Sequence, residues 1–415
     1  MQKIKDSGIE WIGEIPNEWS VSRLRNFYSF EKGKRAAIYT KEYVAENVGN
    51  VPVYSGQTEA DGIMGFVDSY DYDFEECIFT TTVGANVMTL KILHGKFCLS
   101  QNCLIMTSKN LCNNHFMFHF LNALFQYEKS AIPSYMQPSL RISDLKKYSI
   151  CLPDLKIQQR IADYLDSKCA KIDNLIAHEE NTIEELKVYK QSVISEAVTK
   201  GLDKTVLLKD SGVEWNRIIP THWKSVYPKI LFSQRKDRAQ KGDRQLTASQ
   251  NLGIIYQGEF MQACNQKVVL VEKDFDILKK VEPNDFVISM RSFQGGLEYS
   301  TLSGAISSAY VMIIPNEKVY PPFYRWLFKS SVYINALQST SNLVRDGQAM
   351  RFANFVQIYL FEIPLHEQQQ IANYLDKKCV DIENLISIKQ QKIEELKEYK
   401  KSLIYEYVTG KKEVV

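Results

Sequence analysis

A duplication constrains this chain more than any local propensity, because a repeat fixes the order of parts before any single element is assigned. The stretch QQRIADYLDSKCAKIDNLI, Gln158 to Ile176, returns as QQQIANYLDKKCVDIENLI, Gln368 to Ile386. The likeness runs on through IEELKVYK and IEELKEYK, and 25 of 44 positions aligned at one constant offset are identical. Two unrelated amphipathic helices share far less. A second repeat pairs KDSGIEWIGEIPNEW, Lys5 to Trp19, with KDSGVEWNRIIPTHW, Lys209 to Trp223. The order is therefore short motif, variable region and long segment, followed by the same three again, with Leu202 to Leu208 as the only linker.

Both long segments read as helices. From Gln158 to Lys200 there is no Pro or Gly, and apolar residues recur at heptad spacing. Ala162, Leu165, Cys169, Ile172, Ile176, Ile183, Leu186, Val193 and Ala197 form the stripe. Its copy is Ala372, Leu375, Cys379, Ile382, Ile386, Ile393, Leu396, Leu403 and Tyr407. At the rise of an α-helix each should reach roughly 60 to 65 Å. Neither can bury its stripe alone, so the two are expected to pack together. A chain that returns from its second variable region to its start calls for an antiparallel pair. The stripe is interrupted at equivalent positions near each midpoint, by Glu179 and by Lys389, which are expected to meet there.

The regions between are unlike each other. Residues 50–108 and 245–315 carry short alternating runs, such as VVLVEKD and FVISM, with Gly-containing turns, as sheet-bearing domains do. Apolar helical patches follow at Asn114–Tyr127 and Pro322–Leu337. A repeated frame carrying two divergent inserts suits a device that reads two different things.

At 415 residues the chain fits two to four domains, and its 45% apolar and 24% charged residues exclude wholesale disorder. A net charge of +2 excludes coating nucleic acid by bulk positive charge, so any such affinity has to come from local patches. No apolar run approaches a membrane span and the N-terminus lacks the apolar core of a signal peptide, which implies no membrane partner and a cytoplasmic location. The eight cysteines have no paired spacing and are expected to be free thiols.

The motif pair KDSGIEW and KDSGVEW, the helix starts QQRIADYLD and QQQIANYLD, and the helix ends SVISEAVTKG and SLIYEYVTGK resemble those of type I restriction-modification specificity subunits, over essentially the whole chain. That resemblance implies an α/β fold with two α/β target-recognition domains. They would be separated by two long antiparallel helices forming a coiled coil, in a pseudo-twofold internal repeat. It places the first recognition domain in 1–157, a spacer helix in 158–201, the second recognition domain in 202–367 and a second spacer helix in 368–415. Each domain would read one half of a split double-stranded DNA target. The family often enters its long helix through Pro-Pro-Leu-x-Glu-Gln. Here LPDLKIQQ has Ile157 in the Glu place, and IPLHEQQ keeps Glu367 and Gln368 with one Pro, which puts the capping of the first helix in question.

Catalytic motifs fail. There is no GxxxxGK[ST], no HExxH and no glycine-rich S-adenosylmethionine loop. Tyr320-Pro321-Pro322-Phe323 mimics an adenine methyltransferase motif, but Tyr320 cannot supply the amide that holds the target amino group. Pro153-Asp154 with Glu185-Leu186-Lys187 mimics a nuclease signature. Leu186 lies on the heptad stripe, and a straight helix brings no second carboxylate to Asp154. His94, Cys98, Cys103, Cys112, His115 and His119 form a loose cluster with the wrong spacing for a zinc knuckle, and the alternating thiols around LSQNCLIM suit strand core better.

Basic groups carry more. Each variable region opens with a cationic cluster after the short motif: Lys32, Lys34 and Arg35 in the first, and Arg235, Lys236, Arg238, Lys241 and Arg244 in the second. Such runs are usually solvated loops, and their recurrence in two unlike domains raises phosphate contact to an equal alternative. Base readout needs planar bidentate groups, Arg for guanine and Asn or Gln for adenine. The candidates are Gln57, Asn86, Gln101, Asn102, Gln137 and Arg141 in the first region. In the second they are Gln250, Arg291, Gln294, Arg345, Gln348 and Arg351. For each the alternative is an ordinary surface or turn residue.

The reading is a non-catalytic specificity subunit that binds DNA and docks two methyltransferase subunits and the restriction (motor-nuclease) subunits. By the resemblance it holds no cofactor itself. S-adenosylmethionine would belong to the methyltransferase, and ATP and Mg to the restriction partner. The alternatives are a stand-alone nuclease or DNA methyltransferase with fused recognition domains, and a coiled-coil adaptor that binds only proteins.

Overall fold

The computed structural model describes residues 3–57, 59–109, 112–133, 135–265, 275–340 and 350–414. The chain divides into two compact units, residues 1–180 with 390–415, and residues 181–389. The divisions fall inside the long helices, where the linear scheme placed them at the helix ends. The reason is the pairing: each unit takes half of each helix.

The helices run Leu155–Lys200 and Leu365–Val408, each starting three residues before its expected glutamine. The first is capped without the missing Glu, because Asp154 Oδ1 accepts the backbone N–H of Ile157 at 2.9 Å. Within the first unit Asp173 accepts Lys400 Nζ at 2.7 Å, and the Tyr164 and Tyr407 rings lie 4.6 Å apart. Within the second, Lys190 pairs with Glu383. Numbers rise along one helix as they fall along the other, so the pairing is antiparallel. Asp173 is equivalent to Glu383 and Lys190 to Lys400, so one ion pair is built twice. Ala162, Leu165, Cys169 and Ile172 and their copies Ala372, Leu375, Cys379 and Ile382 are all buried. The expected Glu179–Lys389 meeting joins residues of different units. Inside the first unit, buried Glu179 accepts Lys392 Nζ at 2.7 Å.

The short motif folds alike twice. Ile4–Asp6 pairs with Glu14–Pro16, and Leu208–Asp210 with Ile218–Pro220, in the same register. Asp6 Oδ1 accepts the Gly8 N–H at 2.9 Å and Asp210 Oδ1 that of Gly212 at 2.8 Å. The two glycines take φ +68° and +70°, conformations that side chains resist. Each motif closes on a helix end in its own unit: Tyr405 Oη donates to Trp11 O at 3.2 Å, and Asn216 Nδ2 to Thr199 O at 3.3 Å.

The inserts differ. The first unit holds a six-stranded sheet in the order Tyr28–Lys32, Cys103–Ser108, Tyr72–Thr81, Leu90–Leu99, Val48–Tyr54, Ile63–Val67, with one parallel pair, Val48–Tyr54 beside Leu90–Leu99. The second has a four-stranded sheet, Phe232–Gln234, Val311–Pro315, Phe286–Ile288, Glu298–Tyr299, and a separate hairpin, Leu246–Ser249 with Gly253–Tyr256. The run VVLVEKD lies outside the described residues.

Helices follow both sheets. Asn113 caps Asn114–Ser130 by accepting the Phe116 N–H at 2.8 Å. Pro321 and Pro322 open Pro321–Lys329, where a missing N–H costs nothing. Both are tied to the frame by equivalent residues. Buried Gln158 accepts the Asn113 N–H at 2.9 Å, and buried Gln368 accepts the Tyr320 N–H at 2.7 Å. Asp166 takes His115 Nδ1 at 2.6 Å and His119 Nε2 at 2.7 Å, while its equivalent Asp376 takes Arg325 Nη2 at 2.5 Å and Trp326 Nε1 at 2.7 Å.

Candidate nucleic-acid interface

In the first unit, backbone hydrogen bonds gather loops that are distant in sequence. Ser100 N–H donates to Tyr54 O at 2.8 Å, Thr82 N–H to Asn102 O at 2.9 Å, and Leu140 N–H to Thr82 O at 2.8 Å. The loops so gathered carry Gln57, Gln101, Asn102 and Arg141, and they are joined by Asn86, whose O accepts Thr81 Oγ1, and by Gln137, beside Pro138 O, which accepts the Gly84 N–H at 3.4 Å. Asn102 takes φ +64° at the tip of a strand turn, a conformation that Asn tolerates. Gln57 is fixed by donating to Ile63 O at 2.8 Å, while Gln101, Gln137 and Arg141 are exposed. This loop cluster is rich in side-chain amides, the groups that pair bidentately with adenine.

In the second unit Gln250, Arg291 and Gln294 line one cleft of about 940 Å3 with Asn251 and Met290. Gln250 Nε2 donates to Arg291 O at 3.3 Å, which ties the hairpin to the turn that carries Arg291. Buried Glu298 also borders the cleft; burial pushes its carboxyl up while Lys329 opposes that shift. Arg351 is exposed, and Arg345 and Gln348 lie outside the described residues.

The cationic clusters divide into structural and available groups. Arg35 is committed to Asp71 and donates to Ser69 Oγ at 3.2 Å; the Asp71 hydrogen bond raises its pKa against the cost of burial. Arg235 grips Asp285 with Nε at 2.6 Å and Nη2 at 2.9 Å, and its third nitrogen reaches Asp237 at 2.8 Å. Asp285 is 1% exposed. Burial raises the Asp285 carboxyl and the Arg235 guanidinium works against it. Both arginines thus have a carboxylate partner from a distant part of the chain, beside the phosphate role expected of them. Arg244 lies 3.4 Å over the Tyr256 ring and 3.1 Å from Glu259, Arg238 donates to Ile277 O at 2.8 Å, and Lys34 donates to Asp71 O at 3.2 Å. Lys32, Lys236 and Lys241 are exposed, with no ion pair among the described residues.

The enzyme-like motifs have structural uses. Asp154 is a helix cap, Phe323 of the Tyr-Pro-Pro-Phe run is fully buried, and Lys187 pairs with Glu184 on the helix surface. Cys98, Cys103 and Cys112 are buried. No helix among the described residues is long and apolar enough to cross a membrane.

Residues 16–187 match the family model for the type I restriction modification DNA specificity domain. The MjaVIII specificity subunit of Methanocaldococcus jannaschii, a type I restriction enzyme component, is 25% identical over 96% of this chain and 93% of its own length. Over nearly its whole length this chain is similar to type I restriction enzyme specificity subunits. Its likeness to the MpnII specificity subunit of Mycoplasma pneumoniae is 32% identity over 32% of this chain and 39% of that one. The match spans about half or less of the first three such Mycoplasma relatives, 45%, 54% and 38% of their lengths. The fold is shared with the HsdS subunit from Thermoanaerobacter tengcongensis, at TM-score 0.51, 13% identity, and coverage of 95% of this chain and 98% of that one. A chain from a structure on complex assembly and conformational transition of the type I R-M system superposes at TM-score 0.67 with 14% identity, covering 95% of this chain and 98% of that one.

What distinguishes Arg35 and Arg235 is a partner far along the chain. Asp71 is 36 residues from Arg35 and Asp285 is 50 from Arg235. No local signal announces either pair. The frame residues Gln158, Gln368, Asp166 and Asp376 were visible as identities within the repeat, but their task of anchoring the helices that follow the two sheets was not.

Proposed function

We propose that this subunit recognises a bipartite double-stranded DNA target, each unit reading one half-site in the major groove, and performs no chemistry itself. The observation that supports this best is the pairing of one frame with two unlike inserts. The short motif, the anchoring glutamine, the anchoring aspartate and the cross-helix ion pair recur, while the sheets and the polar groups at their edges do not. A protein with one ligand has no use for that combination. The two methyltransferase subunits would dock on the repeated frame and use S-adenosylmethionine to methylate adenine on a flipped-out base. The restriction subunits would use ATP and Mg to cut unmodified DNA.

The test is a domain exchange. Replacing residues 24–150 by the corresponding region of another specificity subunit is expected to change one half of the methylated sequence and leave the other intact. A change in both halves would refute independent readers. Gel-shift on a random-sequence pool, with and without the methyltransferase partner, separates this reading from its rivals. An adaptor that binds only proteins selects no sequence, and a stand-alone enzyme modifies or cuts DNA without the partner.

A further inference from the structure

Arg141 and Arg351 occupy the same place in the two units. Arg141 stands before the helix Ile142–Lys147 with φ −111° and ψ 156°, and Arg351 before Phe352–Phe355 with φ −115° and ψ 163°. The backbone N–H of each donates to the side chain three residues on, Asp144 Oδ2 at 3.0 Å and Asn354 Oδ1 at 3.0 Å. Leu140 and Met350 before them, and Leu145 and Phe355 after them, are buried. These buried neighbours and the capped backbone fix where each guanidinium starts. Both side chains are exposed, and neither has an ion pair among the described residues.

Arg141 stands beside its unit's base-reading candidates, and Arg351 is joined to the segment carrying Gln294 through a series of hydrogen bonds. The Leu140 N–H bonds Thr82 O, and the Thr82 N–H bonds Asn102 O, in the loop cluster that carries Asn86 and Gln101. Asn354 Nδ2 donates to Thr340 O at 3.1 Å, and Gln338, on the helix leading to Thr340, donates from Nε2 to Phe293 O at 2.7 Å, next to Gln294.

The surrounding sequence has diverged almost completely. Aligned at the offset of the long helices, residues 140–153 and 350–363 share one identity in 14 positions, and it is this arginine. A residue that reads bases must differ where two half-sites differ. A group held in place while its neighbours change serves what the half-sites have in common, the phosphodiester backbone. We propose that Arg141 and Arg351 are a matched pair of phosphate contacts that set each domain's register on the duplex and read no base. The proposal rests on the DNA-reading function above and replaces base readout at these two positions.

The experiment uses the complex of the full chain with its methyltransferase. Affinity is measured against salt for a duplex carrying the sequence selected from a random pool and for one without it, and the selected sequence is determined again for each variant. Arg141→Ala and Arg351→Ala should each lower the slope of log K against log salt by about 0.9, which is about eightfold in affinity at 0.1 M salt. The loss should be equal on both duplexes, and the selected sequence should not change. Arg→Lys should restore most of the affinity, because a phosphate needs the charge and not the planar fork. Relaxed selection at a base position in either alanine variant would make that arginine a base reader and overturn the proposal. Unchanged affinity and slope, with wild-type melting behaviour, would overturn it by removing the contact. If the wild-type complex selects no sequence, the DNA-reading function itself has failed, and this proposal falls with it.

Discussion

Removing Lys392 should loosen the paired helices at a defined place. Glu179 interrupts an apolar stripe, its side chain is 6% exposed, and Lys392 Nζ lies 2.7 Å from its Oε1. Breaking a fully buried pair costs about 3 to 5 kcal/mol, because the remaining charge stays out of water. Lys392 is 54% exposed, so solvent screening reduces the figure. A charge-assisted hydrogen bond of this kind contributes about 1 to 2 kcal/mol, or a factor of roughly 5 to 30 in a local opening equilibrium. Lys392→Met keeps the stem that covers the seam and removes the charge. Glu179→Gln keeps the shape and removes the other charge, and the double variant completes the cycle. Two units in one chain make a single global unfolding energy ill-defined. The appropriate assay is native-state hydrogen exchange over residues 176–183, which reports local opening. The expected coupling is about 1 to 2 kcal/mol, with the double variant close to Glu179→Gln alone. A coupling below about 0.3 kcal/mol would refute the reasoning and reduce the contact to a solvated surface pair.

Arg235→Ala should destabilise the second unit by about 3 kcal/mol, because buried Asp285 loses its bidentate partner, whereas Lys236→Ala should stay within about 0.5 kcal/mol. Comparison of the two in thermal melts checks this, and equal melts would return Arg235 to the surface group. For Asp166, burial acts to raise the carboxyl, but hydrogen bonds from His119 and His115 outweigh it and hold the pKa below the ordinary value. A depressed carboxylate contributes stability that is full above about pH 4 and lost as pH falls through the folded-state value. The melting difference between wild type and Asp166→Asn should therefore shrink below about pH 4, and parallel curves down to pH 3 would contradict it. Inserting one four-residue turn near Thr199 adds about 6 Å of helix. If the helices set the gap between half-sites, the spacer should grow by one or two base pairs at about 3.4 Å each; an unchanged spacer in the methylated sequence would remove them from that role.

The repeat, the helix periodicity and the motif order were legible in the sequence because they are written in contiguous residues. A heptad stripe of nine apolar positions has to be buried, and two equivalent stripes in one returning chain bury each other antiparallel. Which arginines keep their charge available was not legible. Arg35 and Arg235 sat in cationic runs that looked alike to Lys32 and Lys236, and only the folding of buried Asp71 and Asp285 beside them gave two of the cations a fixed partner. The equivalence of Arg141 and Arg351 was in the sequence as one identity in a diverged stretch, too faint to notice until both appeared before the same short helix with the same backbone bond. The charge of a group is local and can be read residue by residue. Whether that charge remains available depends on what the chain brings against it from tens of residues away, and that is settled only by tertiary packing.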